Sequence, residues 1–144
     1  VTLAPADPIS EPTGQHSLAL ALTNTSTRAC YLFGYPAIRL LDASGHELPF
    51  TYRQSGDQVV TSRPPVRVTL TPGGVAYVTI NKYRCDLGDR GSATTVGLVL
   101  PGDTSVLTKV VLSSLNLGYC GPADPGSTVS VSPFGASLDD TLAH

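Results

Sequence analysis

Methionine and tryptophan are absent from this chain, and only 14% of its 144 residues are charged. A soluble domain usually has about 25% charged residues, so the surface here must be built largely from Ser, Thr, Gly and Pro. Disordered chains combine low hydrophobicity with high net charge. This chain is 41% hydrophobic with a net charge of −2, which excludes that class. Runs of basic residues are also missing: Arg28, Arg39, Arg53, Arg63, Arg67, Lys82, Arg84, Arg90 and Lys109 are scattered. The electrostatic footprint needed for nucleic acid or an anionic membrane surface is therefore lacking. No apolar run approaches the ~18 residues of a transmembrane helix. No signal peptide is visible, yet Val1 is not an initiator methionine. A processed start, with an export signal or lipoprotein leader removed, fits both facts. A membrane would then be reached only through an anchor ahead of Val1.

Signatures of chemistry are equally scarce. The sequence contains no GxSxG, SxxK, HExxH or P-loop motif. His16, His46 and His144 are far apart in loop or terminal contexts, which makes a zinc site from them a poor reading beside solvent-exposed spacers. Asp86, Asp89 and Arg90 lie in an oxygen-rich loop, but calcium needs a fuller ligand set. Asn24-Thr25-Ser26 matches a glycosylation sequon and reads more simply as a turn. No catalytic residue, cofactor or metal is expected.

What the chain does have is strand chemistry. Thr and Val supply 30 residues, and Pro and Gly another 26 that fall between the apolar runs. Beta-branched side chains are stiff and suit a pleated surface. Residues 1–15 form an extended lead-in with three prolines and an edge strand at Val1–Leu3. Strands are then expected at Ser17–Thr23, Ala29–Phe33, Ala37–Leu41, Glu47–Tyr52, Val66–Leu70, Val75–Tyr83, Thr94–Leu100, Val106–Leu112 and Thr128–Ser132, with a short one at Val59-Val60. Asp42-Ala-Ser-Gly45 and Pro72-Gly73-Gly74 are tight turns, and Arg53–Pro65 is a long loop. Residues 135–144 read as a loose tail, with Asp139-Asp140 solvated. No segment has a 3.6-residue period. The expected fold is one all-β domain over residues 1–144, an Ig-like antiparallel sandwich of about eight strands.

Three cysteines remain to be placed, and none lies in a CxxC. Cys85 closes the longest strand candidate and Cys120 precedes the turn into the last one, so a Cys85–Cys120 disulfide is favoured. Its loop of about 35 residues is worth roughly 4 kcal/mol by chain entropy. Disulfides persist outside the cytosol. Cys30 is unpaired within this chain. It is either a buried reduced thiol acting as a small hydrophobe or the partner of a cysteine upstream of Val1.

Leu22-Thr-Asn-Thr-Ser followed by Cys30-Tyr-Leu-Phe-Gly-Tyr-Pro36 resembles an actinobacterial domain family of unknown function, number 4232. So do Leu40-Leu-Asp-Ala-Ser-Gly45, Leu70-Thr-Pro-Gly-Gly-Val-Ala76, Cys85, and Cys120 ahead of Val129-Ser-Val-Ser-Pro133. The resemblance covers about residues 17–134. It implies an exported β-sandwich protein, often lipid-anchored or membrane-tethered. Such proteins often carry an extra cysteine near the domain's start, whose partner corresponds to Cys30. This chain departs from that pattern, since nothing before Cys30 is a cysteine. The family has no assigned activity, so no catalytic residue carries over.

Six tyrosines (Tyr31, Tyr35, Tyr52, Tyr77, Tyr83 and Tyr119) stand in or beside strands. Tyr77 and Tyr83 share parity on one strand, opposite Ala76, Val78 and Ile80. They form the candidate interaction patch if that face is open, because tyrosine anchors interfaces and stacks on sugars. The expected function is non-catalytic: an extracytoplasmic cell-envelope domain that binds a protein, glycan or lipid, or acts as a spacer. The alternatives are an envelope hydrolase with a hidden site and an inhibitor or chaperone-like partner acting through an edge strand.

Overall fold

The computed structural model describes residues 1–102, 108–111 and 117–144, the span 108–111 by its backbone alone. The described residues form ten strands: β1 (Thr2–Pro5), β2 (Gln15–Thr23), β3 (Cys30–Leu32), β4 (Ala37–Leu41), β5 (Thr51–Arg53), β6 (Val68–Leu70), β7 (Val75–Tyr83), β8 (Thr95–Val99), β9 (Thr108–Val111) and β10 (Thr128–Val131). Of the strand expected at Val106–Leu112, residues 106, 107 and 112 lie outside the described residues. Short 3-10 turns occupy Pro125–Ser127 and Asp139–Thr141. Among the described residues no helix is long and apolar enough to cross a membrane.

The backbone of the fold is the β2–β7 pair, nine residues on each side, in register from Gln15↔Tyr83 to Thr23↔Val75. Period-two alternation puts Leu18, Leu20 and Leu22 beside Ile80, Val78 and Ala76 on one face, and all six are buried. Burial of each larger side chain is worth about 1.5–3 kcal/mol. They meet Leu32, Val68 and Leu70 from β3 and β6, and Ile38, Leu40, Val96 and Leu98 from β4 and β8, in one core cluster. The sheets run β1-β2-β7-β10-β5, β3-β6 and β4-β8-β9. Tyr52 of β5 ties two of them together, since its hydroxyl accepts the Leu40 backbone N–H of β4 at 3.3 Å. Burial is the main reason the Tyr52 hydroxyl is pushed up to about 12.

The sequence pattern predicts an antiparallel sandwich, but the five-stranded sheet is not purely antiparallel. β5 lies parallel to β10, with Thr51, Tyr52 and Arg53 opposite Thr128, Val129 and Ser130. A parallel pair needs a long crossover, and here β6 to β9 all intervene. The Glu47–Tyr52 strand shrinks to a Leu41↔Glu47 bridge and β5. The lead-in is anchored as an edge strand, since β1 pairs with β2 from Thr2↔Thr23 to Pro5↔Leu20.

Residues 135–144 are not a loose tail. Gly135 bridges to Tyr77 and Leu142 to Val60, while Thr141 is fully buried with its hydroxyl 2.7 Å from that of Thr79. Residues 57–61 and this C-terminal segment lie over the second face of β7. That face would otherwise show solvent the polar side chains that alternation assigned to it.

Turn chemistry follows the sequence closely. Asp42 Oδ1 accepts from Ser44 N–H and His46 N–H, and Gly45 takes φ of +84°. Asn24, only 1% exposed, ends β2 and stitches three segments. Its Nδ2 donates to Arg28 O (2.8 Å) and Leu70 O (3.1 Å), and its Oδ1 accepts from Ser26 N–H and Ser26 Oγ. Both hydrogens of the sequon amide are therefore committed inside the fold.

Candidate functional site

Tyr77 and Tyr83 do not form a shared patch. Six residues along a strand separate them by about 20 Å. Thr79 and Asn81 between them are buried beneath residues 57–61 and the C-terminal segment. Tyr77 is half-buried, and its backbone exchanges hydrogen bonds with Gly135. Tyr83, 43% exposed, stands at the end of β7 that this cover leaves open.

There it joins a groove of about 290 Å³ whose lining includes Gln15, Arg53, Asp57, Tyr83, Thr128 and Ser130. The period of two explains the set. Gln15 on β2, Tyr83 on β7, Thr128 and Ser130 on β10 and Arg53 on β5 all take the parity opposite the core residues Leu18, Ile80 and Val129. Asp57 comes from the long loop after β5.

The polar groups are ordered by a chain of hydrogen bonds. Asp57 Oδ1 accepts from Val59 N–H and Val60 N–H, each at 2.8 Å, and Oδ2 accepts from Asn81 Nδ2 at 2.8 Å. That carboxylate fixes which end of the Asn81 amide is nitrogen, since a flipped amide would set oxygen against oxygen. The same Nδ2 donates to Gln15 Oε1 at 2.7 Å. Gln15, 7% exposed, is thereby left with its Nε2 donors for the groove. The cost is borne at Asn81 Oδ1, which is buried without a partner; such an orphan costs on the order of 1–3 kcal/mol. Ser130 is only 3% exposed, lines the groove, and its hydroxyl bonds to no described protein group. Arg53 donates through Nε to Ser55 Oγ at 2.9 Å, leaving its other guanidinium N–H groups without a described protein partner.

The remaining candidates are dispersed. His46 lies 3.9 Å from Asp42, and His144 lies 3.4 Å from Asp139. Among the described residues no three His, Cys, Asp or Glu side chains converge as a metal site. Asp89 packs its carboxyl over Gly118, and the Asp86 backbone N–H donates to Asp124. Cys30 is a free, exposed thiol on β3, so the reading of it as a buried small hydrophobe is corrected. Cys30 shares the parity of the buried Leu32, and it is exposed at the first residue of β3.

Cys85 and Cys120 are joined, with Cα atoms 5.3 Å apart. Asp124 reinforces this end of the fold by accepting from Asp86, Leu87 and Gly126 N–H. These bonds, that of Gly126 first, hold its carboxyl below the ordinary carboxylate range. Lys82 follows Ile80 on the core parity of β7. It is 2% exposed, and Nζ donates to Tyr83 O at 2.8 Å without a carboxylate within ion-pair range among the described residues.

Burial pushes the Lys82 ammonium below its usual 10.5, against the opposing pull of Asp89 and Asp124. The unfolded chain therefore holds this proton more tightly. Lys82 costs stability when charged, and that cost is relieved as pH rises through the folded-state value toward 10.5. Lys82→Met is expected to melt at or above the wild-type temperature at pH 7, with its advantage shrinking toward pH 10. Paired thermal melts across that range check the sign. A variant that melts lower at every pH would show that the Tyr83 contact outweighs the desolvation.

The disulfide fits an oxidising setting. Of the groove residues, the sequence pattern singled out Tyr83 alone. Gln15 fell in the extended lead-in, Arg53 and Asp57 in the long loop and Ser130 in the last strand, with nothing to mark them, and Asn81, which orients Gln15 from behind the groove, was equally unmarked. The available signal was the long loop 53–65, the kind of segment on which sites are commonly built. No curated protein and no solved structure matches this chain. The family model for a domain of unknown function, DUF4232, matches residues 1–135, and the chain belongs to that family.

Proposed function

We propose that this is a non-catalytic, exported recognition domain of the cell envelope, built as an Ig-like sandwich whose five-stranded sheet faces the two smaller ones. The observation that carries the recognition role is the groove beside Tyr83, where polar side chains more than nine-tenths buried keep unused donors. Among the described residues only Asn81 Oδ1 is buried without a partner, so these donors open onto the groove, where a ligand bearing acceptors can take them. The disulfide and the low charge support the extracytoplasmic location. Sedimentation of the purified domain with isolated envelope material tests the role. Saturable co-sedimentation, weakened by Arg53→Met, is expected. A domain left wholly in the supernatant would point to a passive spacer.

A second reading, a partner docking on an edge strand, is favoured by one observation. Tyr31 and Phe33 at β3 and Val66 ahead of β6 are all largely exposed, with Arg67 stacked 3.8 Å over the Tyr31 ring. Co-sedimentation lost in Tyr31→Ser/Phe33→Ser but kept in Arg53→Met would favour it.

A further inference from the structure

We propose that the groove beside Tyr83 is a site for a single carboxylated sugar ring, a hexuronate or a close relative. The proposal rests on the recognition reading for the site and adds the ligand.

The first argument is the sign of the unmet hydrogen bonds. Gln15 offers Nε2, Arg53 offers its terminal guanidinium N–H groups, and Ser130 and Thr128 offer hydroxyls. The one carboxylate in the lining, Asp57, already accepts from Val59, Val60 and Asn81. Gln58 adds an amide with both donors and an acceptor, and Lys82, also in the lining, is buried with its Nζ donating to Tyr83 O. The exposed charge that is left for a ligand is the Arg53 guanidinium, which pairs with planar carboxylates in a two-bond fork. The orientation of Gln15 is no accident of a rotating amide, because Asp57 dictates it through Asn81.

The second argument is shape. At about 290 Å³ the cavity sits at the small end of ligand sites. It suits one ring better than an oligosaccharide. The Tyr83 ring and Pro125 supply carbon surface to its lining, as the C–H face of a pyranose requires. A peptide C-terminus would satisfy Arg53 as well. It would not use a flat aromatic wall beside a spread of single hydroxyl and amide donors.

Titration of the ¹⁵N-labelled full chain with methyl galacturonoside, followed by NMR, tests the assignment. Saturable shifts are expected at the Gln15 side-chain amide, Arg53 Nε and the Ser130 backbone amide. The methyl ester of the same sugar should bind at least ten-fold more weakly, as should the acid to Arg53→Met. The Arg53 side chain is exposed and bonds only to Ser55, two residues on, and its backbone pairing with β10 does not need the guanidinium, so this variant should keep its fold and its other resonances. Ser130→Ala, a smaller change, should weaken the acid several-fold. Absence of shifts at these groups overturns the site, and equal binding of the ester overturns the carboxylate. Tighter binding of acetyl-dialanine overturns the sugar in favour of a peptide end. If the uronate fails while envelope co-sedimentation persists and still depends on Arg53, the ligand class is wrong and the recognition role stands. If co-sedimentation fails too, both fall.

Discussion

Replacing Cys85 and Cys120 together by serine is expected to lower stability by about 4 kcal/mol, the loop-entropy value for a closed segment of this size. At this chain length that corresponds to a melting temperature lower by roughly 10–15 °C. The bridge is not the only tie across the segment. Ser127 Oγ accepts from Cys120 N–H and donates to Gly121 O, while Asp124 binds the backbone just after Cys85. These bonds act in the folded state, whereas the disulfide restricts the unfolded chain, so they do not replace it. Cys120 is also buried, and a Cβ on Gly126 would meet its sulfur at 2.7 Å, which leaves little room to repack. Thermal melts of the double variant beside Cys30→Ser, which should match wild type because Cys30 is exposed, make the comparison. Thiol labelling of the native protein should mark Cys30 alone. A melting temperature within 3 °C of wild type would mean that Asp124 and Ser127 already hold the two ends together in the unfolded ensemble.

Asn24→Ala is the second large effect, about 1–3 kcal/mol, because the Leu70 carbonyl loses a donor in a buried place. Asn24 Nδ2 donates to both Arg28 O and Leu70 O, and Arg28 O also has Ser26 Oγ within reach as a donor. Leu70 lies opposite Cys30, so the loss falls at the β3–β6 pair, while the Asn24 backbone bonds to Gly73 and Gly74 are kept. Asn24→Asp keeps the acceptor for Ser26 but turns an oxygen toward both carbonyls. At neutral pH it should be at least as damaging as alanine, and the gap should narrow below about pH 4 as the carboxyl takes up a proton. Denaturant titrations at two pH values separate the cases. An Asn24→Asp variant as stable as wild type would show that Nδ2 contributes little.

Much of this protein is legible in its residues one segment at a time. Leu18-Leu20-Leu22 and Ala76-Val78-Ile80 declare a face by period two, and those faces form the core. Asp42-Ala-Ser-Gly45 and Pro72-Gly73-Gly74 declare their turns, and Gly45 and Gly73 indeed take positive φ. Composition and cysteine position were enough to pair Cys85 with Cys120. All of these depend on stereochemistry within a few residues or on a count of possibilities small enough to exhaust. What covers a face is a different matter. Alternation told that Tyr77, Thr79, Asn81 and Tyr83 point one way. It held no information about the distant residues 57–61 and 135–142 that close over the middle pair and leave Tyr83 open. Only the tertiary structure decided that β5 lies parallel to β10 and that a tail of ordinary polarity packs onto the sheet. The groove belongs to the same class. Its donors come from β2, β5 and β10, and they become a site only because Asp57, through Asn81, fixes which way Gln15 faces.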